Sequence, residues 1–416
     1  MNIYAIIILV TLLFDFTLNL IADLYNVKAM KKDLPQEFEG VYEEDDYRKS
    51  QEYTRITTRF GILTSTFNLI LVLAFWFLGG FNYLDNIVRH WAFSPLVTGL
   101  VYIGILILLK SIISLPFSLY STFVIEERFG FNKTTIGTFF MDMIKGLVLG
   151  VVIGGPLLAA ILAFFQYAGA LAWLYCWMGT TAFTLVIQFI APRWIMPLFN
   201  KFTPLEDGEL KQSILDYAKS VNFKVDDIFV MDGSKRSTKS NAFFTGFGKH
   251  KRIALFDTLI EKHTVEELVA VLAHEIGHYK KKHIIQSMAI SILHMGVMFL
   301  LLSIFISSRG LFNAFYMDHI SIYAGLIFFG MLYTPIELVL SIFMQIFSRK
   351  NEFEADRFAA ETVKEPENMI NALKKLSRDN LSNLTPHRFY VFLNYSHPPV
   401  LQRINAIRKV KNKAIA

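Results

Sequence analysis

The chain has 416 residues, of which 53% are hydrophobic, 15% aromatic and 18% charged, and its mean hydropathy is +0.41. Soluble proteins carry about 25% charged residues, so the composition excludes an ordinary soluble protein and indicates a membrane protein. The net charge of +6 comes from basic residues scattered among acidic ones, which argues against nucleic-acid binding. The single cysteine, Cys176, excludes an internal disulfide and a cysteine-based metal site.

Seven apolar runs are long enough to cross a bilayer, for which about 20 residues suffice. They lie near 3–24, 61–83, 96–125, 141–166, 169–196, 285–308 and 320–347. The first run lacks the basic start and the cleavage site of a removable signal peptide, so we expect it to remain as a span. The runs predict four parts: five spans with loops at 25–60 and 127–140 (1–196), a polar segment (197–284), two spans (285–347) and a polar tail (348–416).

The basic residues of the loops are distributed unevenly between the two sides of the membrane. Seven lysines and arginines fall in the loop at 25–60, and many more fall in the polar segment and the tail. The loops on the other side offer Arg89 and Arg309. The positive-inside rule therefore predicts an outside N-terminus and a cytoplasmic location for both polar parts.

Several polar residues interrupt the predicted spans. Charge at membrane depth is costly, so such residues face a water-filled cavity or pair between neighbouring helices. The sequence leaves both alternatives open for these positions: Asp15, Asn19, Lys110, Gln166, Gln188, His294 and Glu337.

The run VLAHEIGHYKKKHI, just before the sixth apolar run, carries a metal-binding pattern. On a helix, His274 and His278 lie one turn apart and can reach one metal ion, while Glu275 points to the side, near a water bound to that ion. Zinc lowers the pKa of a bound water to about 7, and a carboxylate can then take its proton. Thr264, with Glu267 three residues later, predicts a capping box at the start of this helix.

Two places in the sequence could supply a third metal ligand: His283 and the acidic residues of a second predicted helix. His283 follows His274 by nine residues, half a turn out of phase on a continuous helix, so we expect it to face away. In SRKNEFEADRFA, Glu352 and Asp356 share one helix face, and Glu354 is turned about 200° from Glu352. We predict Glu352 as the ligand and Asp356 as the residue that orients a ligand histidine. The alternative is a solvated acidic helix surface.

Six segments together are typical of one family. They are SNAFFTGFGKHKRIALFDTLIE, AHEIGHYKKKH, SRKNEFEADRFA, NYSHPPVLQRI, EERFGFNK and PLFNKFTPL. On these segments the chain resembles the type I CAAX prenyl proteases, seven-span zinc metalloproteases that act in yeast mating-factor and prelamin A maturation. The resemblance implies one Zn²⁺ per chain, held by His274, His278 and Glu352, with Glu275 as the general base.

The resemblance also implies residues that bind substrate and stabilise charge. Asn241 and Ala242 match an edge strand, which would hold an extended peptide by main-chain hydrogen bonds. His397 and Arg403 match basic residues near the metal that stabilise the tetrahedral oxyanion. Two alternatives remain: Asn241 as a turn residue, and the run 396–399 as the start of a helix.

The fold class that the resemblance implies is mainly α. Seven spans would enclose a water-filled chamber, and the polar segment and the tail would form a cytoplasmic α+β protease domain. That domain would contain a helix near 208–220 and strands near 226–232, 240–246 and 250–256. The linker before the metal helix is shorter than in some eukaryotic members, which indicates a compact member of the family.

The expected function is an integral-membrane zinc metalloendopeptidase that removes the C-terminal tripeptide from prenylated CAAX proteins. A first alternative is quality control of misfolded or stalled membrane proteins, similar to the heat-shock protease HtpX. A remote alternative is a non-catalytic transporter or chaperone. We expect a monomer in the bilayer with a peptide or protein substrate. The membrane would be the endoplasmic reticulum in a eukaryote or the cytoplasmic membrane in a bacterium.

Overall fold

The computed structural model describes residues 1–225, 227–245 and 252–415. The first helices within these residues are α1 (Ile3–Lys28), α2 (Glu44–Phe77), α3 (Gly80–His90), α4 (Pro95–Tyr120), α5 (Ile136–Leu149), α6 (Gly155–Tyr167), α7 (Ala172–Ile190) and α8 (Glu209–Ser220). The later helices are α9 (Asp257–Lys262), α10 (Val265–Lys280), α11 (His283–Phe305), α12 (Arg309–Ala314), α13 (Ile322–Thr362), α14 (Glu367–Asp379), α15 (Arg388–Asn394) and α16 (Val400–Ile415). The strands are β1 (Phe202–Pro204), β2 (Asp227–Met231), β3 (Ala242–Thr245) and β4 (Arg252–Phe256).

Seven helical stretches in the described part of the chain are long and apolar enough to cross a membrane. Single π-helical turns extend three of them, after α4, between α5 and α6, and after α7. The seven predicted spans are therefore confirmed in number and order. The stretches are Ile3–Lys28, Glu44–Phe77, Pro95–Glu126, Ile136–Tyr167, Gly169–Leu198, His283–Phe305 and Ile322–Thr362.

Two of these helices extend beyond the predicted spans. Helix α2 begins at Glu44, so the second half of the predicted loop at 25–60 is helical. Helix α13 continues without interruption from Ile322 to Thr362, across the predicted boundary between 347 and 348. The change from apolar to charged residues at 349 alters what the helix faces, but those residues retain good helix propensity and do not end it.

The span residues are mostly not buried against other protein atoms. Between 6% and 17% of the residues in their apolar windows are buried, as expected for helices that face lipid on one side and an open interior on the other. A cavity of about 390 Å³ lies between α11 and α13, and it is lined by polar side chains that include Ser291, His294 and Glu337. His294 Nε2 lies 3.3 Å from a Glu337 oxygen and 3.0 Å from the Tyr333 hydroxyl. Here both alternatives hold, because the polar residues line a cavity and also pair between helices.

A four-stranded sheet lies in the polar part of the chain, with the order β1-β2-β4-β3. Strands β2 and β4 are parallel. Strand β1 pairs antiparallel with β2, and β3 pairs antiparallel with β4. The predicted helix at 208–220 and the three predicted strands are confirmed, and residues 226, 246, 250 and 251 of those strands lie outside the described residues. Strand β1 was not predicted. Buried Ile253 and Leu255 pack β4 into one core with α8 and α10, which places β3 at a sheet edge beside α10.

The segment that leads into β3 is anchored to the membrane helices. Lys239 Nζ lies 2.8 Å from a Glu126 carboxylate oxygen and 2.8 Å from the Tyr53 hydroxyl. Its ammonium also lies 4.4 Å from the centre of the Phe131 ring. Glu126 ends the π-helical turn after α4, so the third span and the loop that follows it fix the position of the edge strand.

Candidate metal centre

The metal-binding helix α10 begins as the sequence predicts. The Thr264 hydroxyl accepts from the Glu267 amide at 3.3 Å, and the Thr264 amide donates to Glu267 Oε2 at 3.1 Å, which completes the capping box. Buried Leu268, Leu272 and Ile276 pack against the sheet and α8. The opposite face of α10 therefore presents His274 and His278 to α13.

Three side chains on these two helices, those of His274, His278 and Glu352, are arranged as ligands of one cation. His274 Nε2 lies 3.1 Å from His278 Nε2, and the Glu352 oxygens lie 3.4 Å from His274 Nε2 and 3.2 Å from His278 Nε2. Tetrahedral ligands with bonds of about 2.05 Å are about 3.3 Å apart, so the spacing fits a zinc-sized ion. Within the described residues, these three form a group of histidine and carboxylate side chains that could hold a metal ion.

The two helices approach closely because a glycine lies at their contact. A Cβ added to Gly277 would lie 3.1 Å from both Cα and the carbonyl oxygen of Ala355. Those atoms belong to the backbone of α13 and cannot move without the helix. Gly277 therefore sets the distance between the helix that carries His278 and the helix that carries Glu352.

Asp356 lies behind the first ligand histidine. Its Oδ1 is 2.9 Å from His274 Nδ1, and its side chain is 1% exposed. Arg403 donates to both carboxylate oxygens of Asp356, at 2.8 and 2.6 Å, and its Nη1 lies 3.6 Å from Glu352. The structure thus brings Asp356 against the ring that it was predicted to orient. The Arg403 guanidinium is buried behind the ligands, in contact with Asp356, Glu352 and His274.

The carboxylates favour a positive charge at His274. Burial disfavours the protonated ring, but the neighbouring Asp356 and Glu352 carboxylates outweigh burial and raise the pKa of His274 to about 9. Glu352 Oε2 is buried and lacks a hydrogen-bond partner among the described residues. A cation between these side chains would satisfy that oxygen, so the donor set fits a metal ion.

Glu275 and His397 are the less buried side chains of the site. Glu275 follows His274 on α10, is half-buried, and its carboxylate interacts electrostatically with the Arg403 guanidinium. His397 is 64% exposed, its Nε2 lies 3.4 Å from a Glu352 oxygen, and its Nδ1 lies 2.9 Å from the Ser396 hydroxyl. Helix α16 begins directly after Pro399, so the run 396–399 both precedes a helix and brings His397 to the site.

Asn241 and Ala242 lie where the sheet edge meets α10. Ala242 is the first residue of β3, and the Asn241 carbonyl accepts from the Phe256 amide at 3.2 Å, which extends the pairing with β4. Among the described strands, β3 pairs with β4 on one side. Its other edge is the one to which an extended peptide would add.

The expectation that His283 faces away from the site is wrong. It assumed one continuous helix, but Lys282 adopts φ 60°, ends the α10 segment and allows α11 to begin at His283. His283 is buried, and its Nδ1 lies 3.1 Å from His278 Nδ1. Its Nε2 lies 3.2 Å from Glu354 Oε2, on the side of α13 turned away from the metal ligands. Sequence reasoning did not predict the contacts that His283 makes with His278 and Glu354.

Comparisons with known proteins agree with this geometry over nearly the whole chain. Residues 23–201 match the family profile described as CAAX prenyl protease N-terminal, five membrane helices, and residues 204–411 match that of peptidase family M48. CAAX prenyl protease 1 of Saccharomyces cerevisiae is 37% identical, over 93% of this chain and 91% of the yeast protein. The Homo sapiens CAAX prenyl protease 1 homolog is 33% identical, over 91% of this chain and 89% of the human one.

A solved structure extends the agreement to three dimensions. The crystal structure of S. mikatae Ste24p matches with a TM-score of 0.92 and 34% identity, over 98% of this chain and 99% of that one. The predicted fold class, a seven-span bundle with an α+β protease domain, is confirmed. The chain therefore belongs to peptidase family M48, as a multi-pass membrane metalloprotease of the CAAX prenyl protease type.

Proposed function

We propose that this protein is a zinc endopeptidase that removes the C-terminal tripeptide from prenylated CAAX proteins. The observation that carries the proposal is the set of three side chains, His274, His278 and Glu352, whose nearest nitrogen and oxygen atoms lie 3.1–3.4 Å apart. Glu275 follows His274 on the same helix. Two imidazoles and one carboxylate at tetrahedral spacing are a donor set that zinc prefers, with one ion per chain. The names of the relatives, CAAX prenyl protease 1, support the substrate class.

The proposed reaction uses the protein's own side chains as follows. A bound zinc ion would polarise the scissile carbonyl and make water more acidic. Glu275 takes a proton from the attacking water and delivers it to the leaving amine, so no covalent intermediate forms. His397, exposed at the mouth of the site, donates a hydrogen bond to the oxyanion. Arg403 adds positive charge from behind the ligands.

The substrate would enter as an additional strand. An extended peptide pairs with the free edge of β3 at Asn241 and Ala242, where main-chain hydrogen bonds give affinity with little dependence on side chains. Lys239 and its partners Glu126 and Tyr53 hold that edge in place. The abundance of basic residues in the polar parts supports a cytoplasmic location for the protease domain. We propose a monomer, since each chain supplies a full set of ligands.

The test is cleavage of a farnesylated CAAX peptide by the detergent-purified protein, with and without a zinc chelator. We expect chelator-sensitive release of the tripeptide. Glu275→Gln should keep its zinc and lose about 10²–10⁴-fold in rate, the range for a general base. His278→Ala should lose the zinc. Glu361→Gln, an exposed glutamate on α13, is the matched control and should behave as the parent.

Each failure of this test has a separate meaning. A wild-type rate in Glu275→Gln would remove the base assignment. Full zinc occupancy in His278→Ala would refute the ligand set. Cleavage of unprenylated membrane proteins but not of the CAAX peptide would transfer the activity to quality control. Absence of zinc from the parent chain would favour a transporter or chaperone.

A further inference from the structure

His278 has a partner on the side of its ring that faces away from the metal ligands. Its Nε2 points towards His274 and Glu352, which leaves Nδ1 to be satisfied elsewhere. That nitrogen lies 3.1 Å from His283 Nδ1, and His283 Nε2 lies 3.2 Å from Glu354 Oε2. The three side chains therefore form a row that runs from the ligand set to the surface of α13.

The hydrogen-bond chemistry of this row allows one assignment of protons. A His278 that binds metal through Nε2 carries its proton on Nδ1, and this N–H needs an acceptor. His283 Nδ1 can accept when the proton of His283 is on Nε2, which then donates to the Glu354 carboxylate. Each bond has one donor and one acceptor, so the carboxylate selects the His283 tautomer and His283 selects the His278 tautomer.

At His274, the other proposed ligand, a carboxylate contacts the ring nitrogen that faces away from the metal site without an intervening residue. His274 Nδ1 contacts Asp356 directly at 2.9 Å, whereas His278 Nδ1 reaches a carboxylate through an intervening imidazole. The two carboxylates, Asp356 and Glu354, lie on different sides of α13. Groups of this kind that fix the tautomer and ring orientation of a ligand histidine affect metal affinity by about 10–100-fold when they are removed.

Three helices have to be in place for this row to form. The left-handed backbone at Lys282 turns the chain so that His283 begins α11 with a 3% exposed side chain beside His278. Glu354 comes from α13, and its side chain is 37% exposed. The orientation of one ligand ring thus depends on α10 and on the ends of the sixth and seventh spans.

We propose that His283 and Glu354 are positioning residues that hold His278 in the tautomer and orientation required of a metal ligand. The proposal rests on the proposed function, because it takes His278 to be a ligand. It adds a requirement that the ligand set alone does not contain: metal affinity should depend on two residues that do not touch the metal.

The test measures zinc affinity by competition with a chromophoric chelator, using the full-length protein in detergent. We expect His283→Leu, which keeps a buried apolar volume, to weaken zinc binding about 10–100-fold. His283→Asn should retain most of the affinity, because its amide oxygen can take the place of Nδ1 as acceptor. Glu354→Met should weaken binding by a smaller factor, and Glu354→Gln, whose amide oxygen still accepts, should restore part of it. Glu361→Met, on the same helix, is the control.

A second measurement separates positioning from a purely structural role. At saturating cobalt(II), the visible absorption of His283→Leu and Glu354→Met should differ from that of the parent, because the His278 ring is free to rotate. A structural role would lower the thermal stability and leave the spectrum unchanged. If His283→Leu does not fold, the exposed Glu354 still tests the row without loss of core packing.

The outcomes distinguish this inference from the proposed function. A parent protein that binds no zinc, or a His278→Ala variant that binds it fully, would overturn the ligand set itself. A parent that binds zinc together with His283→Leu and Glu354→Met variants of equal affinity and unchanged cobalt spectra would overturn the positioning role alone.

Discussion

The buried pair of Asp356 and Arg403 allows a quantitative test of how the site is stabilised. Asp356 is 1% exposed and Arg403 is 11% exposed, and two hydrogen bonds of 2.8 and 2.6 Å join them. Removal of one member leaves the other charged and buried. We therefore expect Asp356→Leu and Arg403→Met each to lower the free energy of unfolding by about 3–5 kcal/mol.

The double variant should be less destabilised than either single variant. Replacement of both members of a buried ion pair by apolar side chains of similar size is often neutral, since the desolvation cost disappears together with the attraction. At about 2 °C per kcal/mol, the lower end for domains of 150–250 residues, each single variant should lose about 6–10 °C in Tm. We expect the double variant to lose less than about 3 °C.

Thermal unfolding in detergent, with chelator present throughout, would measure these shifts without a contribution from bound metal. Lys211→Met, which breaks an exposed pair with Asp207, is the control and should leave Tm nearly unchanged. Additive losses in the double variant would show that Asp356 and Arg403 do not act as a pair. Single variants as stable as the parent would show that neither charge needs its partner.

Three further predictions concern Gly277, Lys239 and an ion-pair cluster in which Glu37 contacts Arg408 and Lys374. Gly277→Ala should lower stability by about 1–3 kcal/mol and weaken zinc binding, because its Cβ meets the Ala355 backbone; unchanged Tm and affinity would contradict this. Lys239→Met should raise KM about tenfold, equivalent to about 1.4 kcal/mol, with zinc content and kcat retained, because the variant loses the contacts that hold edge strand β3 in place. A fall in kcat alone would refute this reasoning. Burial raises the pKa of Glu37, but hydrogen bonds from Arg408 and Lys374 outweigh burial and lower it. The ionised Glu37 carboxylate therefore stabilises the fold fully above its ordinary pKa, and this contribution is lost as pH falls through the lowered pKa. Glu37→Gln should lower Tm at pH 7 and make Tm fall less steeply in acid. Parallel curves of Tm against pH for the variant and the parent would exclude this linkage.

Sequence reasoning succeeded where one physical rule determines the outcome. Span number follows from the length of apolar runs, and the placement of His274 and His278 on one helix face follows from the pitch of a helix. The capping box at Thr264 marked the start of α10 to the residue. The choice of Glu352 rather than Glu354 as the residue facing the histidines also came from helical phase, and the structure places them accordingly.

Sequence reasoning was wrong where the outcome depends on a local break in a helix. Periodicity assumes a continuous helix, so it could not show that Lys282 turns His283 back towards His278. The predicted boundary between the last span and the polar tail at 348 lies inside one continuous helix, because a change in composition alone does not end a helix. Strand β1 has three residues and pairs with β2 across a long connection, and a segment this short carries no periodic signal.

Because α13 is continuous, bending of the seventh span would also move Glu352. About 26 Å of helix separate Glu352 from Pro335, a natural point of flexure inside the span. A change in bend of about 5° there would displace Glu352 by about 2 Å, more than half of its 3.2–3.4 Å separation from the ligand histidines. Membrane thickness changes the tilt of a span. A change in lipid composition would therefore change the distance between Glu352 and the two histidines. The contacts that α10 and α16 make with α13 would oppose this displacement of Glu352.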